Sequence, residues 1–300
     1  MNFFYNTNNK TIEILNENDY NTRRLYLKMI DIYHNCIYVK ITKINKSDNI
    51  YFNKIKVITD LLNNHDNFIK VDYIFIYNYK FLYDNAIYNF IKDYDNYLYI
   101  CEIRNYYKFD CLTNYIKKFS LTDLKLLLDQ IIFAQLSVFF LYGFTHNNIS
   151  LNNIFYEDTE REIRYRYHDG AHTIKTNKIY KLTNYDYSIL YNDIYTINYE
   201  LDYLNSKYFN YDHTLFYNIH KTICCCINLL NDDDRKYFRS VLNDDDIIND
   251  FNRFEHRTGK DLVSYFRGEY NFNDLMEKCY HSIFYYLNKI WLKIYNTKFK

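Results

Sequence analysis

The sequence predicts an α+β chain made of two unlike lobes, and three observations carry that prediction. Residues 1–103 alternate short Ile/Val/Tyr/Phe-rich runs with Asn- and Asp-rich turns, as strands do. From about residue 110 the apolar positions recur at helical spacing instead. The chain has 300 residues, enough for two small lobes in contact, and no Gly/Ser/Pro-rich linker or internal repeat interrupts it. The expectation is one domain over 1–300, with a strand-rich lobe over 1–103 and a helical lobe over 104–300.

The elements follow in order. Ile37–Ile41, Asp72–Tyr77 and Tyr97–Ile103 read as strands, being rich in β-branched and aromatic residues. Between the first two, residues 53–63 place Ile55, Ile58, Leu61 and Leu62 on one helical face. Ser120 and Asp123 have capping-box spacing and open a helix over 124–141. Residues 163–175 read as a hairpin, with His168, Asp169 and Gly170 forming its turn; the His168/Asp169 pair is read as turn chemistry and not as an acid/base pair. A further helix is expected over 211–230, and the remainder repeats helical patterning.

Charge and composition narrow the function. Lys plus Arg number 37 and Asp plus Glu number 37, so a zero net charge gives no electrostatic case for nucleic acid or an anionic membrane. The 38 Tyr, absent Pro and four Gly match an AT-rich codon supply, under which Asp-to-Asn is a favoured change. The seven cysteines lack C-x-x-C spacing, so no zinc framework is expected. Their odd number, with no secretory signal, predicts a reduced, cytoplasmic protein. The Cys224–Cys226 run is expected to be buried as small hydrophobes. The most apolar segment, residues 124–144, carries Asp129, Gln130 and Gln135, which marks a buried core helix and not a membrane span.

The informative stretch follows that helix: Gly143-Phe144-Thr145-His146-Asn147-Asn148-Ile149-Ser150-Leu151-Asn152-Asn153-Ile154-Phe155. About thirty residues on stands Tyr180-Lys181-Leu182-Thr183-Asn184-Tyr185-Asp186-Tyr187-Ser188. The first resembles the protein-kinase catalytic loop, H-x-D-L-x-x-x-N, with His146, Ile149 and Asn153 in register and Asn148 at the Asp position. The second resembles the strand and metal-binding D-F-G turn, with Asn184 for Asp, Tyr185 for Phe and Asp186 for Gly. Val39-Lys40-Ile41 resembles the end of the V-A-I-K strand, and Ile100-Cys101-Glu102-Ile103 the strand entering the interlobe hinge. Tyr211-Asp212 resembles the start of the lower-lobe helix, where Asp212 would bond the loop backbone.

The resemblance covers about residues 30–230 and is closest to kinase-like proteins of large DNA viruses, especially poxvirus late serine/threonine kinases. It implies a two-lobed protein-kinase-like fold, with a small β-rich N-lobe, a larger helical C-lobe, and Lys40, Asn148, Asn153 and Asn184 converging between them. Residues 231–300 carry no motif.

The departures from the family set the functional expectation. Asn148 has a neutral amide and cannot accept the substrate hydroxyl proton. Asn184 offers magnesium only an uncharged carbonyl. No glycine precedes Gly143, so the phosphate-covering loop is missing. The helix that supplies the Glu partner of the strand Lys reads Asn53-Lys54-Ile55-Lys56, and Lys54 is expected to repel Lys40. His146 is read as a structural hydrogen-bonding residue within the loop. These features imply a pseudokinase that binds a protein partner, an active kinase or a kinase substrate, with no cofactor. The alternative is a divergent serine/threonine kinase using ATP and magnesium, with Asp186 as its nearest carboxylate. Host cytoplasm is the expected compartment if the source is viral.

Overall fold

A computed structural model describes residues 11–14, 24–30, 36–45, 49–77, 97–105, 110–167, 170–185, 188–190, 215–266, 269 and 272–298. The turn at His168 and Asp169, Asp186, and the Tyr211-Asp212 pair lie outside the described residues. The fold is mixed α+β, with two compact units: Met1–Asn64 with Lys70–Lys108, and His65–Ile69 with Phe109–Lys300. Residues 65–69 thus belong with the second unit, whereas their position in the chain groups them with the strand-rich region.

Among the described residues the first unit is a five-stranded antiparallel sheet with one helix. Its strands are β1 (Thr11–Ile14), β2 (Arg24–Ile30), β3 (Cys36–Asn45), β4 (Tyr73–Tyr77) and β5 (Tyr97–Asn105), in the order β1-β2-β3-β5-β4. Helix α1 (Asn49–Leu62) lies between β3 and β4 in the chain and starts four residues earlier than its periodicity suggests. Ile55, Ile58 and Leu62 are buried on its apolar stripe, alongside a core that includes Leu27, Val39, Ile41 and Ile100. The exit from α1 is closed by Asn63, whose Nδ2 donates to Val71 O at 2.9 Å while its Oδ1 accepts the Val71 N–H at 3.0 Å.

The second unit begins, apart from residues 65–69, with β6 (Asp110–Cys111), a 3-10 turn over Leu112–Tyr115, and helix α2 (Leu121–Tyr142). Ser120 and Asp123 form the expected capping box on α2. The helix ends at Gly143, whose φ of 70° is the left-handed conformation that glycine accepts without a Cβ penalty, and whose N–H donates to Phe139 O at 2.8 Å. Among the described residues α2 is the helix long and apolar enough to cross a membrane, but 67% of its most apolar window is buried inside the protein. Gln130 is fully buried in it, and its polar atoms are matched: Oε1 accepts from Asn67 Nδ2 at 3.2 Å and Tyr180 N–H at 3.1 Å, while Nε2 donates to Lys178 O at 2.7 Å.

Those partners seat a hairpin longer than the sequence suggested. Strands β8 (Ile154–Tyr167) and β9 (Gly170–Leu182) pair along their length, with a bulge between Asp158 and Arg161. Tyr165 Oη donates to Asn67 Oδ1 at 2.8 Å, so residues 65–69 and α2 grip the hairpin through one buried amide network. Short strands β7 (Phe144–Thr145) and β10 (Ile189–Leu190) pair with each other.

Among the described residues the remaining helices are α3 (Leu215–Cys226), α4 (Asp232–Leu242), α5 (Asp245–Phe266) and α6 (Phe272–Lys298). Helix α6 packs on α3, α4 and α5, and the Asp250–Lys289 and Asp244–Lys293 ion pairs tie it to α5 and its approach. The cysteine run corrects one expectation. Cys226 is buried, but Cys224 and Cys225 are only half-buried, because three consecutive helical residues fan over about 200° and cannot share one core-facing stripe.

Candidate functional site

Gly143 turns the chain out of α2 into β7, and the loop beyond it carries the residues singled out from the sequence. His146 is fully buried. Its Nδ1 accepts the Asn148 N–H at 3.2 Å, which fixes a neutral imidazole whose Nε2–H donates to Thr183 O at 3.0 Å. Ser188 Oγ donates to His146 O at 3.1 Å. With both ring nitrogens bonded to backbone, His146 joins the loop to the segment after β9 and is not a free base.

Three asparagines complete the connection. Asn153 closes a 3-10 turn over Leu151–Asn153, and its Nδ2 donates to Asn148 O at 2.8 Å. Its carbonyl accepts the Thr183 N–H at 3.0 Å. Asn184 Nδ2 donates to Asn153 Oδ1 at 3.4 Å, and Asn148 Nδ2 donates to Asn184 O at 3.4 Å. Asn147 and Asn184 adopt left-handed backbone, with φ of 55° and 67°. Asparagine tolerates that region better than most residues, so the Asn-rich loop suits its own backbone. Asn218 on α3 donates from Nδ2 to Asn147 Oδ1.

Behind the amides lies an aromatic floor. Tyr185 is buried, with its ring centroid 5.8 Å from His146, 6.4 Å from Phe144 and 6.3 Å from Phe68. Its hydroxyl lies 3.0 Å from both Ile69 O and Leu182 O, which anchors the turn that carries Asn184.

Magnesium prefers one or two carboxylates and dehydrates reluctantly. The described network offers neutral amides instead. Asn153 Oδ1 already accepts a hydrogen bond, and Asn184 Oδ1 is buried without a hydrogen-bond partner among the described residues. That orphaned oxygen can accept a donor, but the described set, without Asp186, brings no carboxylate and by itself does not fit magnesium. Among the described residues no group of three or more His, Cys, Asp or Glu side chains is arranged to hold a metal ion.

Lys40 belongs to the first unit, where it has a partner that the sequence reading did not name. Its Nζ lies 2.9 Å from Glu102 Oε1, and Arg104 Nη2 lies 2.7 Å from Glu102 Oε2, with all three side chains nearly inaccessible. This carboxylate partner comes from the neighbouring strand. The reason is register: Lys40 on β3 stands directly opposite Glu102 on β5, which puts both side chains on one face of the sheet. Burial, and next the Glu102 charge, push the Cys101 thiol pKa up. Sequence reading missed Glu102 as a partner, although a Glu within an otherwise apolar strand signals a paired charge.

The four residues of the second unit, His146, Asn148, Asn153 and Asn184, thus come together in one hydrogen-bonded network. Asp186 and Asp212 lie outside the described residues. No protein-family model matches the chain, and no curated protein matches it.

Proposed function

We propose that this chain has a protein-kinase-like two-lobed fold and is a pseudokinase, acting by binding another protein, either an active kinase or a kinase substrate. The observation that carries the reading is the amide network. The loop position for a catalytic carboxylate holds Asn148, the turn position for a metal-binding carboxylate holds Asn184, and their side chains are engaged with each other's segments. An amide has no basic oxygen to take a hydroxyl proton, and loss of a general base costs about 10²- to 10⁴-fold in rate.

Element order supports the fold part of the proposal. A five-stranded antiparallel sheet carries a helix between its third and fourth strands, and the chain then runs through a long helix, the loop, a hairpin, the Asn184 turn and further helices. That is the order the resemblance implies. The buried Lys40–Glu102 pair also fits, because a Lys bound to a carboxylate within its own sheet is poorly placed to serve as a phosphate contact.

The test is a transfer assay with labelled ATP, magnesium and a generic protein substrate, using the full chain. The expected result is no transfer above that of an Asn148→Ala variant. Transfer at an ordinary kinase turnover of about 1–100 per second would favour the divergent-kinase reading, with Asp186 as the carboxylate in use.

A further inference from the structure

We infer that two adjoining cavities on the second unit form one site for a single-chain amphipathic anion, with a phosphate head held on α4 and an alkyl tail seated beside α3. The first cavity, of about 360 Å³, follows one face of α4 and is lined by Asp232, Arg235, Lys236, Arg239, Ser240 and Asn243. The second, of about 410 Å³, lies between α3, the end of α4 and the start of α5, where Ile227, Leu242, Ile248 and Phe251 line it. Arg239 and Asn243 line both cavities, so the two are neighbours.

The α4 wall is cationic. Arg235 and Arg239 are four residues apart on the helix, so they rise from one face, with Lys236 beside them. Three cations face one carboxylate, and Asp232 is shared between Arg235 and Lys117, whose Nζ lies 3.1 Å from it. Lys236 has no ion pair among the described residues, and Arg239 donates to a neutral group, Asn228 Oδ1 at 3.2 Å. A guanidinium meets a phosphate with two parallel N–H donors, and a lysine adds a point charge.

The second cavity is apolar and electrically quiet. His220 Nδ1 lies 2.7 Å from Tyr286 Oη and its Nε2 lies 3.3 Å from Cys224 Sγ, so the polar atoms of that wall are paired with each other. Burial holds the His220 pKa down, to about 4, and raises the Cys224 thiol, so both are neutral near pH 7. Ile248, 39% exposed, stands where a tail would cover it. An apolar cavity of a few hundred Å³ with a few placed polar groups is the usual form of a small-molecule site. Inorganic phosphate would leave the apolar cavity unused, and an uncharged alkyl chain would leave the cations unused; an amphiphile uses both. The site does not depend on the pseudokinase reading, and its test uses no nucleotide.

The test is a calorimetric titration of the full chain with decyl phosphate below its micelle concentration. The expected result is saturable binding of one molecule, with no measurable heat from inorganic phosphate at the same concentrations. Each methylene removed from the tail should weaken binding about fourfold, so octyl phosphate should bind about fifteenfold more weakly. Arg239→Gln should weaken decyl phosphate at least about tenfold, as loss of a hydrogen bond to a charged group does. Ile248→Asp should weaken it too, and Lys175→Gln, on the exposed face of the hairpin, should leave it unchanged. Circular dichroism of each variant reports folding, and Lys236→Gln, at an exposed position, supplies the same arm with the same expected weakening if Arg239→Gln does not fold. Equal affinity for octyl and decyl phosphate, equal affinity for decanol, or unchanged affinity in the folded arginine or lysine variant would overturn the inference. So would a Lys175→Gln variant that binds as weakly as Arg239→Gln. Vesicles of phosphatidate and phosphatidylcholine should not sediment the chain; sedimentation would point to a membrane surface and overturn the single-molecule site.

Discussion

Replacing Glu102 by alanine removes the carboxylate that Lys40 and Arg104 share. The two contacts are 2.9 and 2.7 Å, and the Lys40, Glu102 and Arg104 side chains are only 2, 3 and 6% exposed, so water cannot take over the lost role without opening the sheet. Removing one partner of a buried ion pair costs about 3–5 kcal/mol. Here the loss leaves two like charges facing each other, which places Glu102→Ala toward the upper end. Lys40→Met removes one cation instead and keeps Glu102 paired with Arg104, so its cost falls to that of a hydrogen bond to a charged group, about 1.5–3 kcal/mol. At a urea slope of about 2 kcal/mol/M, the first variant should lower the midpoint by about 2 M and the second by about 1 M. Urea titration followed by far-ultraviolet circular dichroism measures both. If Lys40→Met proved as damaging as Glu102→Ala, or Glu102→Ala moved the midpoint by less than about 0.5 M, Glu102 would not be the centre of the cluster.

Three further outcomes are expected. Because the network offers amides where magnesium prefers carboxylates, a thermal scan with Mg-ATP should show no gain over ATP alone, whereas a magnesium-dependent rise would reveal an intact metal site. The Asn148→Asp/Asn184→Asp variant should stay well below a kinase turnover of about 1–100 per second, since the glycine loop is absent and the carboxylate on Lys40 comes from its own sheet; an ordinary rate would point to a recently active enzyme. Cys101 and Cys279 should resist alkylation in the native state and react once denatured. Burial raises both thiols, Cys279 to about 12, so the unfolded state loses these protons first and stability should fall as pH rises through the ordinary thiol range, as alkaline denaturation would record.

The sequence by itself located the elements whose signals are local. The capping box at Ser120, the apolar run behind it, the alternation in β3 and β5, and the stripe on α1 each depend on neighbours within a few residues, so their physics is written in consecutive letters. The loop and turn that bring His146, Asn148, Asn153 and Asn184 together were legible for the same reason, each lying next to a recognisable helix or strand. What the sequence left open was partnership across the chain. Lys40 meets Glu102 through strand register, and a register is set by the whole sheet, since a slip of one residue turns every side chain to the other face. Asn67 reaches Gln130, Tyr165 and Tyr180 from as far as 113 residues away, and no local pattern encodes such a pairing. His220 and Cys224 were four letters apart in plain view, but neither spacing nor composition shows that Tyr286 and Phe251 hold the imidazole against the thiol on the wall of a cavity. Only the packing of α5 and α6 against α3 decides that, because burial and orientation come from elements that the chain reaches later.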